Sequence, residues 1–152
     1  MERSELIALI RSAFSDVPYP GDDNITRSAS RCLEWECRFL SDYFRGTTQS
    51  GHTTEALRER ESAFSFFTAD ALLYWLPTFM IGALAQPEVA DVIWDRLISF
   101  CSLRIFDPEW SDLQGPDVVV LTAKQKEAMT LFIKSQYDGE DDGVKAALYA
   151  LR

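Results

Sequence analysis

The 152-residue chain is poor in the side chains that most enzymes and metal sites use. It contains one histidine, His52, and three cysteines, Cys32, Cys37 and Cys101. Any histidine-based triad, Cys–His pair or histidine metal site would have to run through His52. The cysteines lie in apolar helical patterns that disfavour a thiolate, and their spacing matches neither a zinc site nor a disulfide framework. We therefore expect no catalytic residue, no metal and no cofactor.

The same cysteine usage bears on localisation. Three cysteines without framework spacing are expected to be free thiols, which points to a reducing compartment. The N-terminal segment, MERSELIALIRSAF, lacks the long hydrophobic region and the cleavage site of a secretory signal. The predicted location is the cytoplasm.

Positive charge is also scarce. Lys and Arg number 15 against 24 Asp and Glu, which gives a formal net charge of -9. A surface of this sign repels the phosphates of nucleic acids and of anionic lipids, so neither nucleic acid nor a membrane is an expected partner. It attracts a basic protein.

No apolar run is as long as the roughly 20 residues that a membrane-spanning helix needs. The most apolar stretch is ADALLYWLPTFMIGALAQP, from Ala69 to Pro87, and its apolar residues surround the helix axis. This predicts a buried central helix. Pro77 removes a backbone hydrogen bond and clashes with the carbonyl of Leu73, which predicts a kink or a break. An alternative interpretation is that the freed carbonyl and Thr78 mark a ligand pocket.

Helical periodicity accounts for most of the remaining chain. It predicts helices over about 2–15, 26–44, 87–103 and 123–136, a charged short helix or turn in EALRERES, and a terminal helical segment in VKAALYAL. The first helix carries its apolar residues on one face, and Thr122 with Gln125 forms a capping-box pattern before the fourth. DVVVL has no strand partner and is predicted to be extended or coil. The predicted fold is all-α: a single domain, 1–152, in which five or six helices pack around the apolar, proline-kinked helix.

Three short patterns are typical of ligand sites, and the first two of them lack an essential residue. GTTQSGHT, Gly46 to Thr53, differs from the phosphate-binding loop by His52 in place of lysine, and we interpret it as an ordinary flexible loop. Asp138 to Tyr149 has acidic residues at the calcium-loop positions but lacks the final glutamate, which indicates a solvated acidic turn. Asp91 and Asp95, one helical turn apart, could bind a metal or a basic side chain, or lie on a wet helix face.

Three segments occur in an order that resembles a bacterial family of small proteins of unknown function. They are RSAFSDVPYPGDDNIT, SAFSFFTADALLYWLPTFMIGAL and LTAKQKEAMTLFI. The resemblance implies a cytoplasmic, mostly helical domain, and it brings no established activity and no catalytic residues. The loop from Arg45 to Thr54 fits the pattern poorly. The matching positions are Phe14, Phe64, Phe66, Tyr74, Leu76, Pro77, Leu121 and Gln125.

These observations favour a non-enzymatic protein-binding domain. The most concrete form is an immunity or antitoxin-like protein that inhibits a basic, cytoplasm-acting toxin by covering its active site. The alternatives are a small-ligand-binding protein or minor enzyme with a pocket near Pro77, and a structural homo-oligomer subunit such as a homodimer. The predicted partner-binding residues are aromatic anchors and acidic steering charges: Asp22, Asp23, Trp35, Asp91, Asp95, Asp107, Glu109, Trp110, Asp112, Glu140, Asp141 and Asp142.

Overall fold

The fold is all-α, as predicted. The computed structural model describes residues 1–27, 34–103, 118–137 and 141–152. Within these ranges the chain forms eight helices, and its buried apolar side chains form one cluster. The helices are α1 (Arg3–Phe14), α2 (Glu34–Phe44), α3 (Thr54–Arg58), α4 (Ala63–Phe66), α5 (Ala69–Ala85), α6 (Asp91–Leu103), α7 (Ala123–Gln136) and α8 (Asp142–Ala150).

Two helices follow directly from local sequence signals. The predicted apolar face of α1 is the buried one, formed by Leu6, Ile10, Ala13 and Phe14. At the start of α7 both halves of the capping box are present, because the Gln125 amide N–H donates to the Thr122 side chain and the Gln125 side chain accepts from the Thr122 amide. The capping box satisfies two backbone groups that a helix start otherwise leaves unpaired. The bounds of α7 match the prediction.

The apolar helix α5 is central, as predicted. Its N-cap Thr68 accepts a hydrogen bond from the Ala71 amide, and the helix packs against α1, α3 and α6. Trp75 and Phe79 are fully buried on it. The helix continues through Pro77 without a break. The neighbouring elements supply the packing that offsets the cost of a proline inside a helix.

Two predicted helix starts were wrong. Thr26 does not begin a helix but pairs with Phe67 in an isolated antiparallel bridge, beside which the Thr68 amide donates to the Ile25 carbonyl at 3.0 Å. Helix α6 begins at Asp91 rather than near Pro87, because residues 87–90 form the turn that reverses the chain after α5. At Thr26 the pairing with a distant segment overrides local propensity, whereas the start of α6 is set by a local turn, in which the Val89 amide donates to the Gln86 carbonyl at 3.0 Å.

The expectation of three free cysteines was also wrong. Cys101 is free and buried on α6, but Cys37 on α2 is disulfide-bonded. Cys32 lies outside the described residues. The spacing argument failed because it applies to frameworks of several disulfides in small secreted domains and does not detect a single bond.

Among the described residues, we find no helix that combines the length and the hydrophobicity needed to cross a membrane.

Candidate functional site

The loop over residues 47–53 is anchored to the helices rather than free. The side-chain amide of Gln49 donates to two backbone carbonyls, that of Tyr74 at 2.8 Å and that of Phe14 at 3.3 Å. The Thr78 hydroxyl in turn donates to the Gln49 carbonyl at 2.8 Å. The loop is therefore tied to the end of α1 and to the middle of α5, and our interpretation of it as flexible does not fit these contacts.

His52 is held by the same loop. Its Nδ1 atom lies 2.9 Å from the Tyr43 hydroxyl, and its Nε2 atom lies 2.7 Å from the Thr48 carbonyl. A carbonyl can only accept, so Nε2–H donates to Thr48, and in the neutral ring Nδ1 accepts from Tyr43. Both ring nitrogens are thus engaged in contacts within the protein. To act as a general base on any group other than Tyr43, His52 would have to give up the hydrogen bond that Nδ1 accepts from the Tyr43 hydroxyl.

A small cavity lies between this loop, α1 and α5. Its volume is about 160 Å³, and Pro77 and Thr78 are among its lining residues. This is the region in which the sequence predicted a pocket as the alternative interpretation. The volume is well below the roughly 300 Å³ at which pockets for drug-sized ligands begin. Only a ligand of a few heavy atoms fits.

Two aromatic side chains are exposed on α2. Trp35 exposes 65% of its surface and Phe39, one helical turn further on, exposes 41%. We call these two residues the aromatic patch. The guanidinium of Arg60 lies 4.6 Å from the centre of the Phe39 ring and 3.8 Å from that of Tyr43, so it is held by cation–π contacts at the edge of the patch.

The acidic side chains on α6 have different surroundings. Asp91 is exposed and pairs with Arg58 across 2.9 Å. The hydrogen bond from Arg58 lowers the pKa of the Asp91 carboxyl, and the same contact raises the pKa of Arg58. Asp91 therefore accepts a basic side chain of the protein itself, which is one of the three possibilities that the sequence left open. Among the described residues no three His, Cys, Asp or Glu side chains are grouped to hold a metal ion.

Asp95 on α6 and Asp141 at the start of α8 lie near one phenol, that of Tyr137. Burial raises the pKa of the Tyr137 hydroxyl, and the negative charges of Asp95 and then Asp141 raise it further. The two carboxylates come together because α6 and α8 pack against each other. The Asp141 side chain also caps α8, since it accepts a hydrogen bond from the Val144 amide at 3.1 Å.

The segment over residues 58–61 connects the aromatic patch to α6. Arg60 contacts the patch, Arg58 pairs with Asp91, and Glu61 accepts a hydrogen bond from Arg96 of α6. This segment therefore lies between α2 and α6. Phe39, one turn from the predicted anchor Trp35, and the predicted Asp91 of α6 thus contact the same short stretch of chain.

Among the other predicted site residues, the structure describes Asp22, Asp23 and Asp142. Asp22 is exposed and accepts a hydrogen bond from the Tyr19 hydroxyl at 2.6 Å. Asp23 is exposed as well, and among the described residues neither of these two carboxylates bonds to a residue of α2 or α6. Asp142 is exposed in the first turn of α8. The remaining predicted residues lie outside the described residues: Asp107, Glu109, Trp110, Asp112 and Glu140.

Sequence reasoning did not assign two of the residues that shape these sites. The only sequence signal for Phe39 is its spacing of one helical turn from Trp35, and the same spacing is typical of a residue in the core. Arg60 has no local signal, because its role depends on the contact between the segment after α3 and the rings of α2.

Comparison with known proteins gives one match. A family model with the description "Family of unknown function (DUF6714)" matches residues 2–151, including the loop that fits the resemblance poorly. No curated protein and no solved structure matches the chain.

Proposed function

The chain belongs to the DUF6714 family of unknown function, and from that premise we propose that it is a non-enzymatic, acidic protein-binding domain. The observation that carries the proposal is the aromatic patch, in which Trp35 exposes 65% and Phe39 exposes 41% of its surface. Large aromatic side chains are enriched at the centres of protein interfaces, where their burial contributes much of the binding free energy.

The surroundings of the patch support a protein partner. Arg60 is stacked on Phe39 and Tyr43, and arginine and aromatic residues are the types most enriched among residues that dominate binding. Its side chain is only 14% exposed, so its orientation is fixed before any partner arrives. A surface that is ordered in advance loses less conformational entropy on binding.

The charge of the chain indicates the chemistry of the partner. With a net charge of -9, the protein attracts a basic surface and accelerates the encounter with it. Asp95 and Asp91 lie on the helix next to the segment that borders the aromatic patch. We propose that the aromatic patch binds and that the acidic residues of α6 and α8 steer the partner.

The concrete form we propose is a bacterial immunity or antitoxin-like protein. Nucleases and similar toxins have basic clefts, so an acidic domain can inhibit them by covering the cleft; this rests on analogy. Action in the cytoplasm is part of the proposal. Disulfides are rare in that compartment, so a cytoplasmic location requires the disulfide at Cys37 to persist under reducing conditions.

The proposed absence of catalysis rests on the state of the usual nucleophiles and bases. The acceptor nitrogen of His52, Nδ1, is occupied by the Tyr43 hydroxyl, so it is not open to a proton from a substrate. Burial raises the pKa of the Cys101 thiol to about 12, so the thiolate that a nucleophilic cysteine needs is not formed near neutral pH.

The test is an affinity pull-down of the tagged protein from its native host at low and at high salt. We expect one basic protein to be captured at low salt and less of it at high salt, because salt screens the steering charges. Trp35→Ala should abolish the capture. Val120→Ala is the matched control, since Val120 is also 65% exposed but lies ahead of α7.

Three outcomes would count against the proposal. Capture that Trp35→Ala and Val120→Ala reduce equally would exclude the aromatic patch as the binding surface. Recovery of the tagged protein alone at both salt concentrations would exclude the partner model and favour the alternative of a small-ligand pocket near Pro77. The antitoxin-like form would be contradicted if the captured protein is not encoded by a neighbouring reading frame. It would also be contradicted if that protein does not arrest growth when it is expressed alone.

A further inference from the structure

The cavity beside Pro77 and Thr78 differs in charge from the rest of the molecule. The chain carries 24 acidic residues, yet among the residues that the structure describes no acidic side chain lines this cavity, whereas Arg11 does. Arg11 is exposed in the last turn of α1, and among the described residues its guanidinium makes no hydrogen bond and no ion pair. The guanidinium of Arg11 is therefore available to pair with a negatively charged group at the cavity.

The walls of the cavity are divided between polar and apolar groups. Ser50, Gly51 and His52 form one side, and the backbone N–H groups of Gly51 and His52 have no acceptor among the described residues. Pro77 and Ile81 contribute apolar surface from α5. The cavity thus combines a cation and unpaired backbone donors with an apolar wall.

The size of the cavity limits what it can hold. A volume of about 160 Å³ corresponds to roughly five water-sized groups. One guanidinium matches a single carboxylate, to which it can donate two parallel hydrogen bonds. A dianionic phosphate would require more positive charge than one arginine supplies in a chain of net charge -9. The apolar wall matches a short hydrocarbon chain.

We infer that this cavity binds a short-chain monocarboxylate, with the carboxylate at Arg11 and the hydrocarbon chain against Pro77 and Ile81. The site shares no lining residue with the aromatic patch, so the inference does not rest on the proposed protein-binding function. It gives the domain a second ligand of a different chemical class.

The experiment is a titration of the full-length protein with butyrate, followed by the amide signals in two-dimensional ¹H–¹⁵N NMR spectra. We expect saturable shifts confined to the signals of Gly51, His52 and Gly82, with a Kd on the order of 1 mM for so small a ligand. Butyramide, which has the same size but no charge, should bind at least about tenfold more weakly, because the charge-assisted hydrogen bonds are lost.

Two variants test the assignment of the residues. Arg11→Gln should weaken butyrate binding at least about tenfold, whereas Arg3→Gln, an exposed arginine of the same helix that does not line the cavity, should leave it unchanged. Ala85→Leu adds volume at the cavity and should block binding without loss of fold, because Ala85 is exposed. Inorganic phosphate serves as the comparison anion.

Several results would overturn the inference. They are the absence of saturable shifts, equal binding of butyrate and butyramide, equal effects of Arg11→Gln and Arg3→Gln, or tighter binding of phosphate than of butyrate. Each of them leaves the pull-down with Trp35→Ala unaffected, so failure here is distinguishable from failure of the proposed protein-binding function.

Discussion

Replacement of Gln49 by alanine tests whether the loop over residues 47–53 is a structural part of the fold. The change removes two hydrogen bonds, one of 2.8 Å to the Tyr74 carbonyl and one of 3.3 Å to the Phe14 carbonyl. A hydrogen bond contributes a net 0.5–1.5 kcal/mol to stability, roughly, and the longer bond belongs at the lower end. We therefore expect the free energy of unfolding to fall by about 2 kcal/mol.

The assay is urea unfolding at equilibrium, followed by tryptophan fluorescence. The matched control is Gln136→Ala, because the Gln136 side chain is exposed and its amide bonds only to the Ser135 hydroxyl at 3.4 Å. The control should change stability by less than about 0.5 kcal/mol. The urea dependence of the unfolding free energy should be the same in all variants, since the surface exposed on unfolding does not change.

A double-mutant cycle with Thr78→Val makes the prediction more specific. The Thr78 hydroxyl holds the Gln49 carbonyl, so each change releases the same piece of loop from α5. The loss of stability in the double variant should then be smaller than the sum of the two single losses by at least about 0.5 kcal/mol. The reasoning is refuted if Gln49→Ala costs no more than Gln136→Ala, or if the two changes are additive.

Three further predictions concern other parts of the molecule. Burial raises the pKa of the Cys101 thiol from 9.0 to about 12, so the stabilisation by the buried, protonated thiol is complete below pH 9 and is lost as the pH rises. Between pH 9 and 11 the unfolding free energy of the natural protein, measured in urea titrations, should therefore fall more steeply than that of Cys101→Ala, by about 1.4 kcal/mol per pH unit. Gly82→Ala should lower the free energy of unfolding by about 1 kcal/mol in the same assay, because the new Cβ would lie 2.7 Å from the buried Leu57 Cδ1. A gain in stability, which is the usual result of this change in a helix, would contradict this close contact between α5 and Leu57. In denaturant, mass spectrometry should find Cys101 alkylated without reductant and Cys37 only after reduction; alkylation of Cys37 without reductant would contradict the disulfide.

Three helices could be predicted from local signals in the amino-acid sequence. Amphipathic spacing identified the buried face of α1, the Thr122–Gln125 pair fixed the start of α7, and the apolar run identified α5 as the central helix. These signals depend on residues three or four positions apart, which lie together on any helix wherever it packs. The acidic net charge and the scarcity of histidine follow from composition alone.

Tertiary packing, in contrast, determines which residues lie next to one another at the candidate sites. The bridge from Thr26 to Phe67, the two carbonyls held by Gln49 and the position of Arg60 over Phe39 all join segments that are distant in the sequence. No local pattern encodes such contacts, because they depend on the relative placement of packed helices. Asp91 and Asp95 of α6 and Asp141 and Asp142 at α8 are exposed, as their acidic character predicts, but which of them share a surface follows from the packing of α6 against α3 and α8.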